Sequence, residues 1–438
     1  MSHYKPYPAY KDSGVEWIGL VPEHWKVAQI KRISALNPKK STLSEEKDSL
    51  CTFLPMEKLR TNAITLDETR PIHEVYDGYS YFCDDDILIA KVTPCFENGN
   101  IAVANGLVNG IGFGSTEINV LRVNGKGHNR FLYYRLQEEQ FRTIAKSEMR
   151  GTGGLKRVPT ELFESFTFGL PDTDEQVTIA ATLDRETARI DALVEKKTRF
   201  IELLKEKRQA LITHAVTKGL DRNAKMKDSG IEWIGQVPEH WEVKPICRVT
   251  SVNDDVLPDS TTDDTPIRYV DISSVGYMEG IKQASDMCFA DAPSRARRKA
   301  SSGDVIISTV RTYLKAVAAV TDEYADCVFS TGFAVLRARH LDRSFLKWMV
   351  LNELLIQAIE AHSEGLSYPA INASALVKLK SVIPPPEEQA SIAATLDRET
   401  ARIDALMDKA KQSITLLKER RAAFITAAVT GQIDLRGK

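Results

Sequence analysis

A chain of 438 residues exceeds one ordinary domain, and its 43% hydrophobic and 27% charged residues supply material for two or three cores. The formal net charge of -2 excludes a uniformly basic nucleic-acid coat, so any phosphate-binding face must gather its cations locally. Cys51, Cys83, Cys95, Cys247, Cys288 and Cys327 form no CxxC pair and stand at no zinc spacing with histidine, which reads as reduced thiols. No signal-peptide core follows the N-terminus and no run reaches membrane-spanning length, so a cytoplasmic chain without a membrane partner is expected.

The first marked element is Lys11–Trp25, KDSGVEWIGLVPEHW, which returns at Lys227–Trp241 as KDSGIEWIGQVPEHW, identical at 13 of 15 positions. A second block, IAATLDRETARIDAL, stands unchanged at Ile179–Leu193 and Ile392–Leu406. The offsets of 216 and 213 residues make the chain one half used twice. Trp17, Trp25, Trp233 and Trp241 repeat with the first block. They read as structural anchors, because base-stacking residues of two different readers would differ.

The first middle, residues 26–174, carries strand-like runs at Asp86–Thr93 (DILIAKVT) and Ser115–Arg122 (STEINVLR). Gly110–Gly114 (GIGFG) lacks a strand-loop-helix setting and reads as a turn, and Asp84–Asp86 as loop polarity. Glu97 and Asn98 offer groups to base edges, but an Asn-Gly turn is the plainer account. Arg150–Val158, RGTGGLKRV, joins glycines, Gly153 among them, to Arg150, Lys156 and Arg157. Such a loop lets amides and cations approach phosphate closely, although a bare surface turn has the same composition.

From Asp172 to Lys218 there is no Gly or Pro. Ile179, Leu183, Ile190, Leu193, Phe200, Leu204 and Leu211 follow a repeat near 3.5 residues, the mark of a coiled-coil seam. The second copy places Ile392, Leu396, Ile403, Leu406, Leu417 and Phe424 likewise. Pro171 and Pro384–Pro386 precede the two helices, and Gly219 and Gly431 follow them. A helix this long, roughly 65 Å, cannot bury its seam on a compact domain, so the two are expected to pair antiparallel.

The second middle, residues 242–387, has drifted from the first, yet DVIISTVR at Asp304–Arg311 and STGFAVLR at Ser330–Arg337 still match it. Arg295, Arg297, Arg298, Lys299, Arg311 and Lys315 gather six cations around Asp304. A charge run is ordinarily a solvated face; on a DNA reader Arg311 suits a guanine edge and the RARRK cluster suits phosphates. Constant ends with variable middles point to one scaffold bearing two different faces. Neutral drift after duplication accounts less easily for the preserved ends. The expected fold is α+β: two globular α/β domains separated by two long helices in an antiparallel coiled coil, with a pseudo-two-fold internal repeat. The expected boundaries are 1–171, 172–218, 219–386 and 387–438.

Glu16–Trp25 and Glu232–Trp241 (EWIGxVPEHW), with EQxxIAxxLDxExxxID at Glu175–Asp191 and Glu388–Asp404, resemble type I restriction-modification specificity (HsdS-type) subunits. The resemblance covers essentially the whole chain. It implies two target recognition domains, each reading one half of a split double-stranded DNA site, and helices that space them. It also implies docking of two methyltransferase subunits and, in a restriction complex, two motor-nuclease subunits. S-adenosylmethionine would sit on the methyltransferase, and ATP and Mg on the motor-nuclease, with no cofactor in this chain. GTGxxKR resembles a recurring loop of such domains, and AKVTPCFENGN a strand-loop feature that brings in Lys91 and Thr93. The matching place in the second copy, HSEGLSYPAI, carries the loop role over to Ser367 and Tyr368 only. Ile179, Leu183, Ile190, Leu193, Leu204, Ile392, Leu396, Ile403, Leu406 and Leu417 are the expected seam and docking residues.

Rival classes are weaker. No [DNS]PP[YFW] tetrapeptide or S-adenosylmethionine loop supports a methyltransferase, and no GxxxxGK[ST] supports a motor. Glu195-Lys196-Lys197 imitates a nuclease fragment but sits on the helix without partner aspartates. A non-catalytic subunit is expected, with a coiled-coil adaptor that binds only protein as the alternative.

Overall fold

The computed structural model describes residues 4–43, 45–152 and 154–437. The chain divides into two compact units, Met1–Lys197 with Gln412–Lys438, and Thr198–Lys411. Two long helices, α1 (Thr173–Lys218) and α2 (Pro386–Val429), each contribute to both units. Pro386 opens α2 at the one helical position where its missing N–H costs nothing.

In the first unit one antiparallel sheet runs Ser34–Leu36, Ile118–Val123, Ile87–Ala90, Ile101–Val103. The second unit repeats that order with Thr250–Val252, Phe333–Ala338, Val305–Ser308 and Val317–Ala319. A second sheet accompanies each. In the first unit it runs Thr69–Pro71, Leu50–Leu54, Ile111–Gly114, Ser80–Cys83, with the middle pair parallel. In the second it runs Ser285–Cys288, Pro266–Val270, Val328–Ser330, Ala296–Lys299, again with a parallel pair and with Asp255–Val256 added at the edge. The faint sequence matches are therefore equivalent central strands. Of GIGFG, Ile111–Gly114 is one of these strands and only Gly110 lies in the turn before it; a Cβ on Gly112 would stand 2.2 Å from the Phe82 ring, so close packing fixes that glycine.

Within each unit the helix segments run antiparallel. In the first, Asp191 pairs with Arg421 at 3.0 Å, while Glu175, earlier on α1, lies 3.8 Å from Arg436 beyond the end of α2. In the second, Arg208 pairs with Asp404 at 2.5 Å, while Gly219, just past α1, faces Glu388. Ile179, Leu183, Ile190, Leu204, Ile392, Leu396 and Ile403 are buried, and Leu417 is half-buried. Leu193 and Leu406 are not seam residues: they are 41% and 46% exposed, and Phe200 is exposed as well. The seam steps by four after Ile190 and Ile403, through half-buried Val194 to buried Ile201 and through Met407 to Ala410. A strict four-three alternation keeps one stripe facing inward, and stepping by three at that point turns the phase outward.

Candidate nucleic-acid interface

In the first unit two distant stretches meet. The Arg150–Arg157 loop is closed by reciprocal backbone hydrogen bonds, Arg150 N to Arg157 O at 2.9 Å and Arg157 N to Arg150 O at 2.8 Å. The same loop is stitched to Lys91–Thr93. Val158 N donates to Lys91 O at 2.9 Å, and the Thr93 amide and hydroxyl donate to Lys156 O at 2.9 and 3.1 Å. So Lys91, Thr93, Arg150, Lys156 and Arg157 share one surface, and Thr93 fixes the loop by its own hydrogen bonds. Arg150 is 79% exposed, with Glu148 at 3.9 Å, and Lys156 is exposed on the same loop. Gly153 lies outside the described residues.

The second unit builds the same frame from different residues. Glu364 and Ala370 exchange backbone bonds of 2.8 and 2.9 Å, closing a loop that Ile371 N ties to Thr309 O at 2.8 Å. Arg311 and Tyr368, far apart in sequence, come together with the guanidinium 5.0 Å from the ring centroid. Ser367 and Tyr368 are exposed on the loop. The residue types differ at almost every matched position while the backbone pairing is retained.

Other expected cations are engaged within the protein. Arg157 grips Glu117, with Nε at 3.0 Å from both carboxylate oxygens and Nη2 at 2.5 Å from one, and its guanidinium holds the Glu117 carboxyl below the usual range. Lys315 is engaged with an acid: its ammonium sits 2.6 Å from Glu353 and is 30% exposed. Arg295 bonds Tyr269 and Asp271 at 3.3 and 3.0 Å. Arg297 and Arg298 are half-buried on the strand Ala296–Lys299, where Arg297 lies over Phe289 and burial lowers the Arg298 pKa. Of the RARRK cluster Arg295 and Lys299 are exposed, and Arg295 is spent on Asp271. The charge run is thus chiefly a sheet strand, whose alternation sends its cations to both faces.

The identical blocks, expected from the sequence to be anchors, seam and docking surface, also join the helices to the globular layers. Trp25 and Trp241 are fully buried. The histidine beside each reaches the first turn of a long helix, His24 to Glu175 at 2.7 Å and His240 to Glu388 at 2.5 Å. Gln176 accepts from the His128 amide at 2.9 Å, and Gln389 accepts from the Asp342 amide at 2.8 Å. Asp184 takes Arg130 and Tyr134, and Asp397 takes Lys347 and Trp348. The repeated Glu-Gln and Leu-Asp pairs therefore clamp each helix to its own globular layer. The signal was present in their equal spacing, but only contact geometry names the partners.

Comparison with known proteins agrees with the resemblance seen in the sequence. Residues 22–203 match the family described as type I restriction modification DNA specificity domain. The EcoEI specificity subunit of Escherichia coli is 31% identical over 38% of this chain and 28% of its own length, and the EcoAI subunit is 36% identical over 36% and 27%. The chain thus spans about a quarter of those relatives in alignment. The MjaVIII specificity subunit of Methanocaldococcus jannaschii is 22% identical over 74% of each chain. A structure from a study of type I R-M complex assembly superposes with a TM-score of 0.73 at 18% identity, covering 94% of this chain and 99% of the other. The HsdS subunit of Thermoanaerobacter tengcongensis gives 0.56, also at 18%, over 94% and 98%. These two show the fold.

Proposed function

We propose that this chain, which belongs to the type I restriction-modification DNA specificity family, reads an asymmetric bipartite duplex through its two recognition units and performs no chemistry itself. The observation that supports this most is the closed loop repeated at the same place in both units with different side chains, Arg150–Arg157 and Glu364–Ala370. A reader of two unlike half-sites needs a constant frame and a variable tip, because backbone contacts position while side-chain edges specify. Methylation would be carried out by two docked methyltransferase subunits holding S-adenosylmethionine, and cleavage by two motor-nuclease subunits using ATP and Mg. The setting is the prokaryotic cytoplasm, where the DNA is. Among the described residues no helix is long and apolar enough to cross a membrane.

The test is duplex binding and methylation by this chain together with its methyltransferase. Specific retention of one split sequence, with a steep fall as salt rises, is expected. Arg311→Ala should relax one half of that sequence and leave the other unchanged. Equal retention of every duplex at every salt concentration refutes sequence reading and leaves a protein-binding adaptor.

A further inference from the structure

The two tips differ in chemistry as well as in sequence. The first carries Arg150 and Lys156 at a glycine-rich loop, with Leu155 as its exposed large apolar side chain. The second has no Lys or Arg between His362 and Ile371. Instead Leu366 is fully exposed and Tyr368 is 66% exposed, and across the stitched backbone Val310, Tyr313 and Leu314 are exposed as well. Scattered surface leucines need no account, but this group sits on two loops joined through Val310 and Ala370. An exposed apolar group on two joined loops suits an apolar feature of a ligand.

One cation is set into that patch. Arg311 makes no ion pair among the described residues, and its guanidinium lies over the Tyr368 ring. Its backbone is left-handed, φ 51°, as is that of Lys315, φ 48°, so two non-glycine residues bracket the turn Thr312–Leu314. Such a conformation is costly for residues with a Cβ and persists where surrounding contacts impose it. Here buried Thr312 is held through its hydroxyl to Ser363 at 3.0 Å, which anchors the turn against the neighbouring loop. The result is a guanidinium oriented by an aromatic ring and unspent on protein acids, with the exposed Leu366 two residues from that ring in the chain.

We infer that the second unit reads a thymine through its 5-methyl group, with Leu366 as the contact, next to a guanine paired by Arg311. In the major groove thymine alone presents a methyl group, and guanine presents the two acceptors that a guanidinium spans. Tyr368 acts as a positioning residue for Arg311. This assignment rests on the proposal that the chain is a sequence reader.

The experiment selects binders from a randomised duplex library with the chain bound to its methyltransferase, then repeats binding with deoxyuridine in place of thymidine. The swap removes only the methyl group. In the half-site altered by Arg311→Lys, one such swap should weaken wild-type binding about fourfold, the effect of burying one methyl-sized group. Leu366→Ala should bind thymine and deoxyuridine duplexes within about twofold of each other. Arg311→Lys should lose about tenfold at the neighbouring guanine. Tyr368→Phe should retain guanine preference and Tyr368→Ala should lose it, which separates orientation by the ring from any hydroxyl contact. Leu366 is fully exposed, so its replacement leaves the fold intact. An undiminished swap penalty in Leu366→Ala, or no penalty in the wild type, overturns this assignment alone. A wild-type complex that enriches no sequence overturns the reading beneath it as well.

Discussion

Charge at the proposed interface is decided residue by residue, because a cation already held by a carboxylate has little left for phosphate. Lys156 and Arg157 are neighbours in sequence, yet Lys156 is exposed and Arg157 is paired with Glu117. Lys156→Ala is expected to lower the slope of log affinity against log salt by about 1, the signature of one lost phosphate contact. Glu117→Gln should raise that slope by about 1 as Arg157 is released, measured by the same titration. A pH effect belongs to His128, whose burial lowers its pKa and whose Nδ1 is buried without a hydrogen-bond partner among the described residues. The unfolded chain takes up a proton first, at the ordinary value of 6.5, so stability declines as pH falls through 6.5. The decline ends once pH passes below the lowered folded value. Chemical denaturation from pH 8 to pH 5 should record this slope, and His128→Asn should flatten it.

At the scale of elements, the seam register is the sharpest claim. Ile190→Ala removes a buried side chain and should cost about 2–4 kcal/mol, whereas Leu193→Ala, three residues on, should cost less than about 1 kcal/mol. Similar losses from both in urea melts would contradict the outward phase of Leu193. The existence, length and ends of the helices were legible because a Gly- and Pro-free run of apolar heptads has no other stable form. The phase was not. Leucines at 190+3 and 403+3 satisfy the same period as Val194 and Met407, and only the facing helix distinguishes them. The RARRK segment misled for a related reason. A cation-rich string reads as surface, but strand pairing by Ala296–Lys299 takes precedence over charge and half-buries two of its arginines. Conversely, the Thr93–Lys156 and Arg311–Tyr368 contacts span 63 and 57 residues, a distance over which no local pattern carries information.

For the whole molecule, the net charge of -2 means that the proposed affinity for DNA would come from a few exposed cations and not from a general field. The fold assigns the last segment of the chain to the first unit. Phe424, Ile425, Ala428, Val429 and Leu435 belong to the same core as Trp25 and Leu183, and Lys5 pairs through its backbone with Asp434. A chain shortened to end at Lys411 should therefore lose protease protection throughout residues 4–197, while 198–411 stays protected. Mass spectrometry of limited digests reads this directly, and equal protection of both units would refute the division.

That shared core also sets an order of events on the ribosome. Translation proceeds from the N-terminus, so residues 4–197 emerge first but must wait for the final strip of polypeptide before their core can close. The second unit has all its parts once residue 411 has left the exit tunnel, and it can settle while its elder twin still shows water the apolar side chains beneath Trp25. The half made first is finished last.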